Sequence, residues 1–376
     1  MISTQRDWDA AIPALSREPR LALDFESDGF HHYRERLSLV QIASPAGVRL
    51  VDPLAVKDLS ALGAMLANLN QIKILHGSDY DIRTLDRVWG FRIRGLRDTA
   101  SATQLLNPEL MGLGRAVEAC LGIVLPKPVR LQRSDWSRRP LPADALEYAA
   151  LDVAHLPALH DALEARLSTL GRSAWWVEEC ELMEGIRYEA PPPPEEAVFG
   201  SKGAFDLSPE ALAIFRELWL IRERSAERVD RPPFKVISGE ALLAIARNPD
   251  ITPDKVPNPN RRWLDSMRGE IIEAVRRGRA AEPLIHPSRL KVRHNPWTPE
   301  GRTRWQALHA VRAAKAGELG IAPSTLWPTR SLEAVCQDPD RFEAEVAGRS
   351  GFAVRRWQRG VLAAALRAAW VPNPAP

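Results

Sequence analysis

Cysteine is scarce in this chain of 376 residues: there are three, Cys120, Cys180 and Cys336, far apart and with no CxxC spacing. That argues against a disulfide framework and a zinc site, and it suits a reducing cytosol. Long apolar runs are missing too. No stretch approaches the ~20 consecutive apolar residues that span a bilayer, so no membrane association is expected. The first twenty residues hold Asp7, Asp9 and Glu18 and no apolar core, unlike a secretory signal. Neither a GxGxxG run nor a P-loop occurs, which argues against dinucleotide and nucleoside triphosphate enzymes. The expected location is the cytoplasm.

What the chain does have is an uneven charge distribution. Residues 1–190 carry 22 Lys+Arg against 26 Asp+Glu, and residues 191–376 carry 29 against 22. The halves therefore have net charges of −4 and +7 within an overall +3. An acidic half joined to a basic one suggests chemistry in the first and polyanion contact in the second. A modest excess spread over solvated helices accounts for the charge equally well.

The first half reads as α/β. Apolar strand candidates are 21–25, 37–42, 48–51 and 72–75, and helical patterns cover 59–69, 82–89, 99–106, 113–121 and 142–155. Closely spaced strands followed by helices suggest a mixed sheet rather than a doubly wound parallel one. Pro191-Pro192-Pro193-Pro194 reads as a stiff linker. Beyond it helical patterns dominate, and a shift of 90 positions superimposes two segments. Leu218, Arg222, Ala226, Pro233, Leu242, Ala244 and Pro249 meet Leu308, Arg312, Ala316, Pro323, Leu332, Ala334 and Pro339. Two related helical modules follow from that repeat.

Three local patterns carry chemistry. In Leu21-Ala22-Leu23-Asp24-Phe25-Glu26 strand alternation puts Asp24 and Glu26 on one face. Two such carboxylates repel by about 4 kcal/mol at 4 Å and an effective dielectric near 20, and a divalent cation commonly offsets that repulsion. Alone, the pair also fits an amphipathic edge strand with solvated acids. After the 72–75 strand comes His76-Gly77-Ser78-Asp79-Tyr80-Asp81-Ile82, where Asp81 sits at a helix start and an ionised carboxylate is favoured. Asp81 or Asp79 as a plain cap fits equally. In Asp144–Val153, Tyr148 and Asp152 are spaced i,i+4 and share a helix face, either as a functional pair or as an edge tyrosine beside a surface acid.

Taken in order, D-x-E on a strand, an Asp at a strand-to-helix junction and Y-x-x-x-D on a later helix resemble the DEDD superfamily of 3′–5′ exonucleases. The match is to the tyrosine-bearing subgroup, with ribonuclease D and its exosome-associated relatives the most similar. Leu39-Val40-Gln41-Ile42, Arg97-Asp98-Thr99, Ser134-Asp135-Trp136 and Arg139-Pro140-Leu141 also look like that family. So does Arg231-Pro232-Pro233-Phe234-Lys235-Val236, which resembles the loop of an HRDC module. Two positions depart from the pattern. Ser27 follows Glu26 where ribonuclease D proteins commonly carry an aromatic, and Asp28–Arg36 is more similar to the exosome-associated relatives. Glu147 stands where the sister subgroup has its histidine, which assigns the role to Tyr148.

The resemblance implies an α/β RNase H-like N-terminal domain with a mixed sheet, followed by two all-α HRDC-like domains. The implied boundaries are 1–190 for the exonuclease, 191–204 for a Pro-rich linker, 205–285 for the first HRDC domain, 286–299 for a second linker and 300–372 for a divergent second HRDC-like domain. It further implies catalytic residues Asp24, Glu26, Asp81, Tyr148 and Asp152, the four acids holding two Mg²⁺ or Mn²⁺ ions and Tyr148 orienting the attacking water. A phenol with pKa near 10 is a poor general base at neutral pH, so orientation is the role expected of it. Arg228, Arg231, Lys235, Arg261 and Arg262 are the expected contacts to nucleic-acid backbone. The implied activity is 3′–5′ exoribonuclease action releasing 5′-mononucleotides, with tRNA precursors or other structured RNA 3′ ends as partners and no obligate protein partner. A Werner-type DNA exonuclease and a non-catalytic nucleic-acid-binding scaffold are the competing expectations.

Overall fold

The computed structural model describes residues 1–126, 129–257, 260–290, 298–349, 351–352 and 354–370. Part of the expected second linker, 291–297, and the last two residues of the expected final domain lie outside them. The described chain forms two compact units. One holds 1–26, 37–188 and the chain beyond 297; the other holds 27–36 and 189–290.

The first unit opens with helix α1 (Gln5–Arg17), capped by the Thr4 hydroxyl on the Asp7 N–H at 3.1 Å and anchored by buried Trp8 and Leu15. Strands β1 (Arg20–Ser27), β2 (Leu37–Ser44) and β3 (Gly47–Val51) follow, then α2 (Ser60–Ala67), β4 (Ile72–Leu75), α3 (Asp79–Trp89), β5 (Leu96–Asp98), α4 (Thr99–Leu106) and α5 (Leu113–Leu121). The sheet order is β3-β2-β1-β4-β5. β1 and β4 pair in parallel, as do β4 and β5, while β2 and β3 are antiparallel, so the sheet is mixed. Ser44 pairs with Gly47 across a two-residue turn, and Gly47 has φ +109°, a region that favours glycine.

β1 is a central strand, not the edge strand that its two acids alone would permit. Leu21, Ala22, Leu23 and Phe25 are all buried, and Asp24 and Glu26 are partly so. Both faces are covered near its start and only the acid end opens outward. This position decides how crowded the two carboxylates become.

Helices α6 (Ala143–Ala154), α7 (Leu156–Thr169) and α8 (Ser173–Met183) complete this part of the chain. The approach to α6 is pinned to the sheet by Arg139. Its guanidinium bonds both Asp52 oxygens at 2.6 Å, the Ser38 carbonyl at 2.7 Å and the Trp136 carbonyl at 2.7 Å. A planar guanidinium with five fixed donors suits such a junction.

The 90-residue repeat is visible in three dimensions. Helix α9 (Pro209–Arg228) is capped by Ser208 and α10 (Gly239–Arg247) by Ser238, and α11 (Arg268–Ala280) packs along α9. In the second copy, α12 (Pro299–Leu319) is capped by Thr298, 90 positions after Ser208, and α13 (Thr329–Gln337) and α14 (Arg356–Ala369) follow. Leu218 and Leu308 are each fully buried, and so nearly are Arg222 and Arg312. The first copy has its own core in the second unit. There the Pro-rich stretch is not extended throughout: helical turns begin at Pro194, and Val198 and Ala204 are buried.

The second copy shares one continuous core with the sheet domain. Trp357 stacks on Trp175 at 4.6 Å between ring centres and 15° between planes. Its indole N–H donates to Glu179 at 2.7 Å. The Glu178 carboxylate accepts the N–H groups of Arg356 and Trp357 at 2.6 and 3.1 Å, which places an anion at the N-terminus of α14. Among the described residues no helix is long and apolar enough to cross a membrane.

Candidate active site

β1 brings Asp24 and Glu26 to the open end of the sheet, and α6 brings Asp152 against them. One carboxylate oxygen from each of Asp24, Glu26 and Asp152 lies within 4.8 Å of the others. Asp81, in the first turn of α3, is buried and stands outside that trio, but its charge acts on Glu26 and that of Asp24 acts on it. The four acids proposed from the sequence therefore form one electrostatic cluster.

Their carboxyl groups titrate accordingly. Burial, then the neighbouring Asp152, pushes Asp24 up to about 7, although the Phe25 N–H opposes the rise. Burial followed by Asp24, Asp152 and Asp81 holds Glu26 well above the usual carboxylate range. Asp81 is raised by burial and then by Asp24 and Asp98. Crowding of this kind disfavours full ionisation unless a counter-charge is bound. The donors are all oxygens, which suits hard divalent cations such as Mg²⁺ and Mn²⁺ better than zinc.

Tyr148 lies one helical turn before Asp152, on the same face of α6. Burial, then the charges of Asp152 and Glu26, raises its phenol above the ordinary tyrosine value. It is a neutral hydroxyl at working pH, able to donate and accept but not to act as a base. The Trp136 ring, buried beneath it, lies 6.5 Å away and near-parallel at 28°.

Several supporting residues were not singled out from the sequence. The Gln41 amide points at Asp24 Oδ2 from 3.5 Å. Asp98 accepts the N–H groups of Ser78 and Ser101, each at 2.7 Å. The only sequence signal for these residues is that they sit in family-like segments, because their roles depend on contacts distant along the chain.

The basic residues proposed for nucleic-acid contact all fall in the second unit. Arg231 and Arg262 are exposed. Arg228 reaches Glu270 at 3.3 Å, and Arg261 donates to the carbonyls of Pro253 and Asp254 at 2.6 Å. Lys235 lies over the Phe30 ring, 4.3 Å from its centre. Trp263 is partly buried against the unit's core, as a packing residue would be.

Comparison with known proteins agrees with this geometry. A 3′–5′ exonuclease family model matches residues 1–168, and an HRDC domain model matches 211–256. Ribonuclease D of Pseudomonas paraeruginosa is 32% identical over 340 residues, covering 87% of each chain. The chain belongs to the ribonuclease D family. That makes it a hydrolase of the 3′–5′ exoribonuclease type, and family members depend on a divalent metal. Ribonuclease D of Nitrobacter hamburgensis, 28% identical over 96% of this chain and 92% of its own, extends the match through the second helical module. A solved structure from Bifidobacterium adolescentis shares the fold over 98% of this chain and 96% of its own, with a TM-score of 0.79 at 24% identity. The catalytic core of RRP6 from Trypanosoma brucei aligns over 74% of this chain and 78% of its own, with a TM-score of 0.65 and 26% identity.

Proposed function

We propose that this ribonuclease D family member removes 5′-mononucleotides from the 3′ ends of structured RNAs, tRNA precursors among them, in the cytoplasm. The observation that carries the reading is the convergence of Asp24, Glu26 and Asp152 oxygens within 4.8 Å, beside Asp81 and Tyr148. In this reading Asp24, Glu26, Asp81 and Asp152 hold two Mg²⁺ or Mn²⁺ ions. Bound there, the ions supply charge neutralisation for the scissile phosphodiester and acidify a water.

The chain's own residues do the rest. Asp24 and Glu26 are set in register by the central strand. Asp152 is fixed by a helix that Arg139 holds to the sheet. The Tyr148 hydroxyl orients the attacking water by hydrogen bonding and keeps its own proton. The exonuclease domain is taken as 1–190, with a linker at 191–204, an HRDC domain at 205–285, a linker at 286–299 and a second, divergent module at 300–372. Arg228, Arg231, Lys235, Arg261 and Arg262 are the proposed contacts to RNA backbone, a sequence-independent role that weakens steeply with salt.

The test is hydrolysis of one RNA labelled at either end, with and without EDTA, alongside its DNA counterpart. Stepwise loss of the 3′ label as mononucleotide, dependent on metal and on the ribose 2′-OH, is expected. Equal turnover of DNA, or activity that survives EDTA, overturns the reading.

A further inference from the structure

Two phenylalanines in the second unit stay outward although burial of either ring would be favourable. Phe30 is 44% exposed and Phe234 is 48% exposed, and their ring centres lie 5.4 Å apart at 48°. His31 packs edge-on to Phe30 at 5.6 Å. The Lys235 ammonium sits 4.3 Å from the Phe30 ring centre and 3.4 Å from His31 Nδ1, and Arg231 is exposed nearby in the same loop.

The platform is built rather than loose. Phe30 is near the tip of a loop closed at its base, where the Arg36 N–H and guanidinium donate to Asp28 at 2.7 and 2.9 Å and the Asp28 N–H donates to the Arg36 carbonyl at 3.1 Å. The N–H groups of His31 and His32 both return to the Asp28 carbonyl. Further along, the His32 ring meets Asp230 at 2.7 Å, the Tyr33 N–H donates to Asp230 at 3.0 Å and Arg34 donates to Glu227 at 2.6 Å. A surface held this way gives up little conformational freedom on binding.

We infer that Phe30 and Phe234 form a stacking platform for unpaired bases of the RNA upstream of the 3′ end being removed, with Lys235 and Arg231 serving the adjoining phosphates. Aromatic faces interleaved with cations are the chemistry that holds single strands without regard to sequence. In the sequence Phe30 follows Glu26 by four positions, with three residues between them. The inference rests on the exoribonuclease reading above and adds a site for the nucleotides behind the scissile one. It accounts for an exposed aromatic pair that the five proposed basic contacts leave unexplained.

The experiment measures binding of an unstructured, fluorescent oligoadenylate to the full chain in EDTA, with an abasic nucleotide moved stepwise back from the 3′ end. Wild-type affinity is expected to fall when the missing base is one that stacks. Phe30→Leu and Phe234→Leu bind the intact RNA about tenfold more weakly and lose nothing further at that abasic position. Phe30→Trp restores both the affinity and the sensitivity. The salt slope stays at the wild-type value in the Leu variants, because no phosphate contact is lost. Leu variants that bind like wild type, or that keep the full abasic loss, overturn the platform and leave the patch to a protein partner. Turnover of the same RNA with Mg²⁺ is measured in parallel on the wild type. If turnover is absent while the abasic loss persists, the exoribonuclease reading fails and the stacking site stands.

Discussion

The Asp98 carboxylate accepts the main-chain N–H of Ser78 at 2.7 Å, three residues before Asp81. Its other oxygen accepts the Ser101 N–H and so caps α4. One side chain at the end of β5 thereby fixes the junction that presents a site acid, and it does so at 1% exposure. Asp98→Ala leaves two N–H groups unsatisfied and removes a cap, and is expected to cost about 3 kcal/mol in urea unfolding. Asp98→Asn keeps one acceptor, and a loss of about half that is expected.

Asp24→Asn and Asp152→Asn should each lower RNA hydrolysis by about 10³-fold or more, since each removes a charge from the set proposed to neutralise the reacting phosphate. Neither should unfold the protein. The circular dichroism spectrum is expected to match wild type, with the metal-free melting temperature equal or higher because crowding is relieved. Wild-type turnover in either variant would remove that residue from the site.

The metal-free protein should lose stability as pH rises. Asp24 titrates at about 7 in the folded chain against 3.8 for an ordinary aspartate, because of burial and then Asp152. Between those values the unfolded chain has released a proton that the folded one keeps. Stability is therefore highest at the acidic end of the window, falls through it, and levels off above about 7. In EDTA the melting temperature is expected to drop from pH 5 to pH 7.5, and less in Asp24→Asn. Added Mg²⁺ should recover more stability at the higher pH, where it has fewer protons to displace.

Tyr148→Phe removes one hydroxyl from a half-buried ring and leaves its packing on Trp136. Single-turnover cleavage should slow about 100-fold, the typical effect of losing one aligned hydrogen-bonding group. Stability should change by about 1 kcal/mol at most. A cleavage rate equal to wild type would show that the hydroxyl orients nothing.

Trp357→Ala deletes the stack on Trp175 and the bond to Glu179. A loss of about 3–5 kcal/mol is expected from the buried ring alone. The sheet domain and the second helical module share one core, so calorimetry should show them melting together.

The residues most legible from sequence were those whose placement is set by local periodicity. Alternation put Asp24 and Glu26 on one side of β1, and the i,i+4 spacing put Tyr148 above Asp152. The repeat at 90 positions was equally visible, since Leu218 and Leu308 occupy equivalent buried sites on α9 and α12. Local pattern could not show that β1 is central, because that depends on β2 and β4 closing over it. β5 has three residues, too few to display a period, and α1 carries Pro13 within its run. The fork from Arg139 to Asp52 spans 87 positions, and the stack of Trp175 on Trp357 spans far more. Neither leaves a mark that a neighbouring residue could reveal.

The chain enters the second unit twice, once through residues 27–36, from the end of β1 to the start of β2, and again from residue 189. A protease nicking the proline stretch would therefore not free the first helical module, whose Asp230 and Glu227 grip Tyr33 and Arg34. Expressing 1–190 alone would leave that hairpin bereft of its anchors right beside Glu26, and would strip Trp175 of its lid.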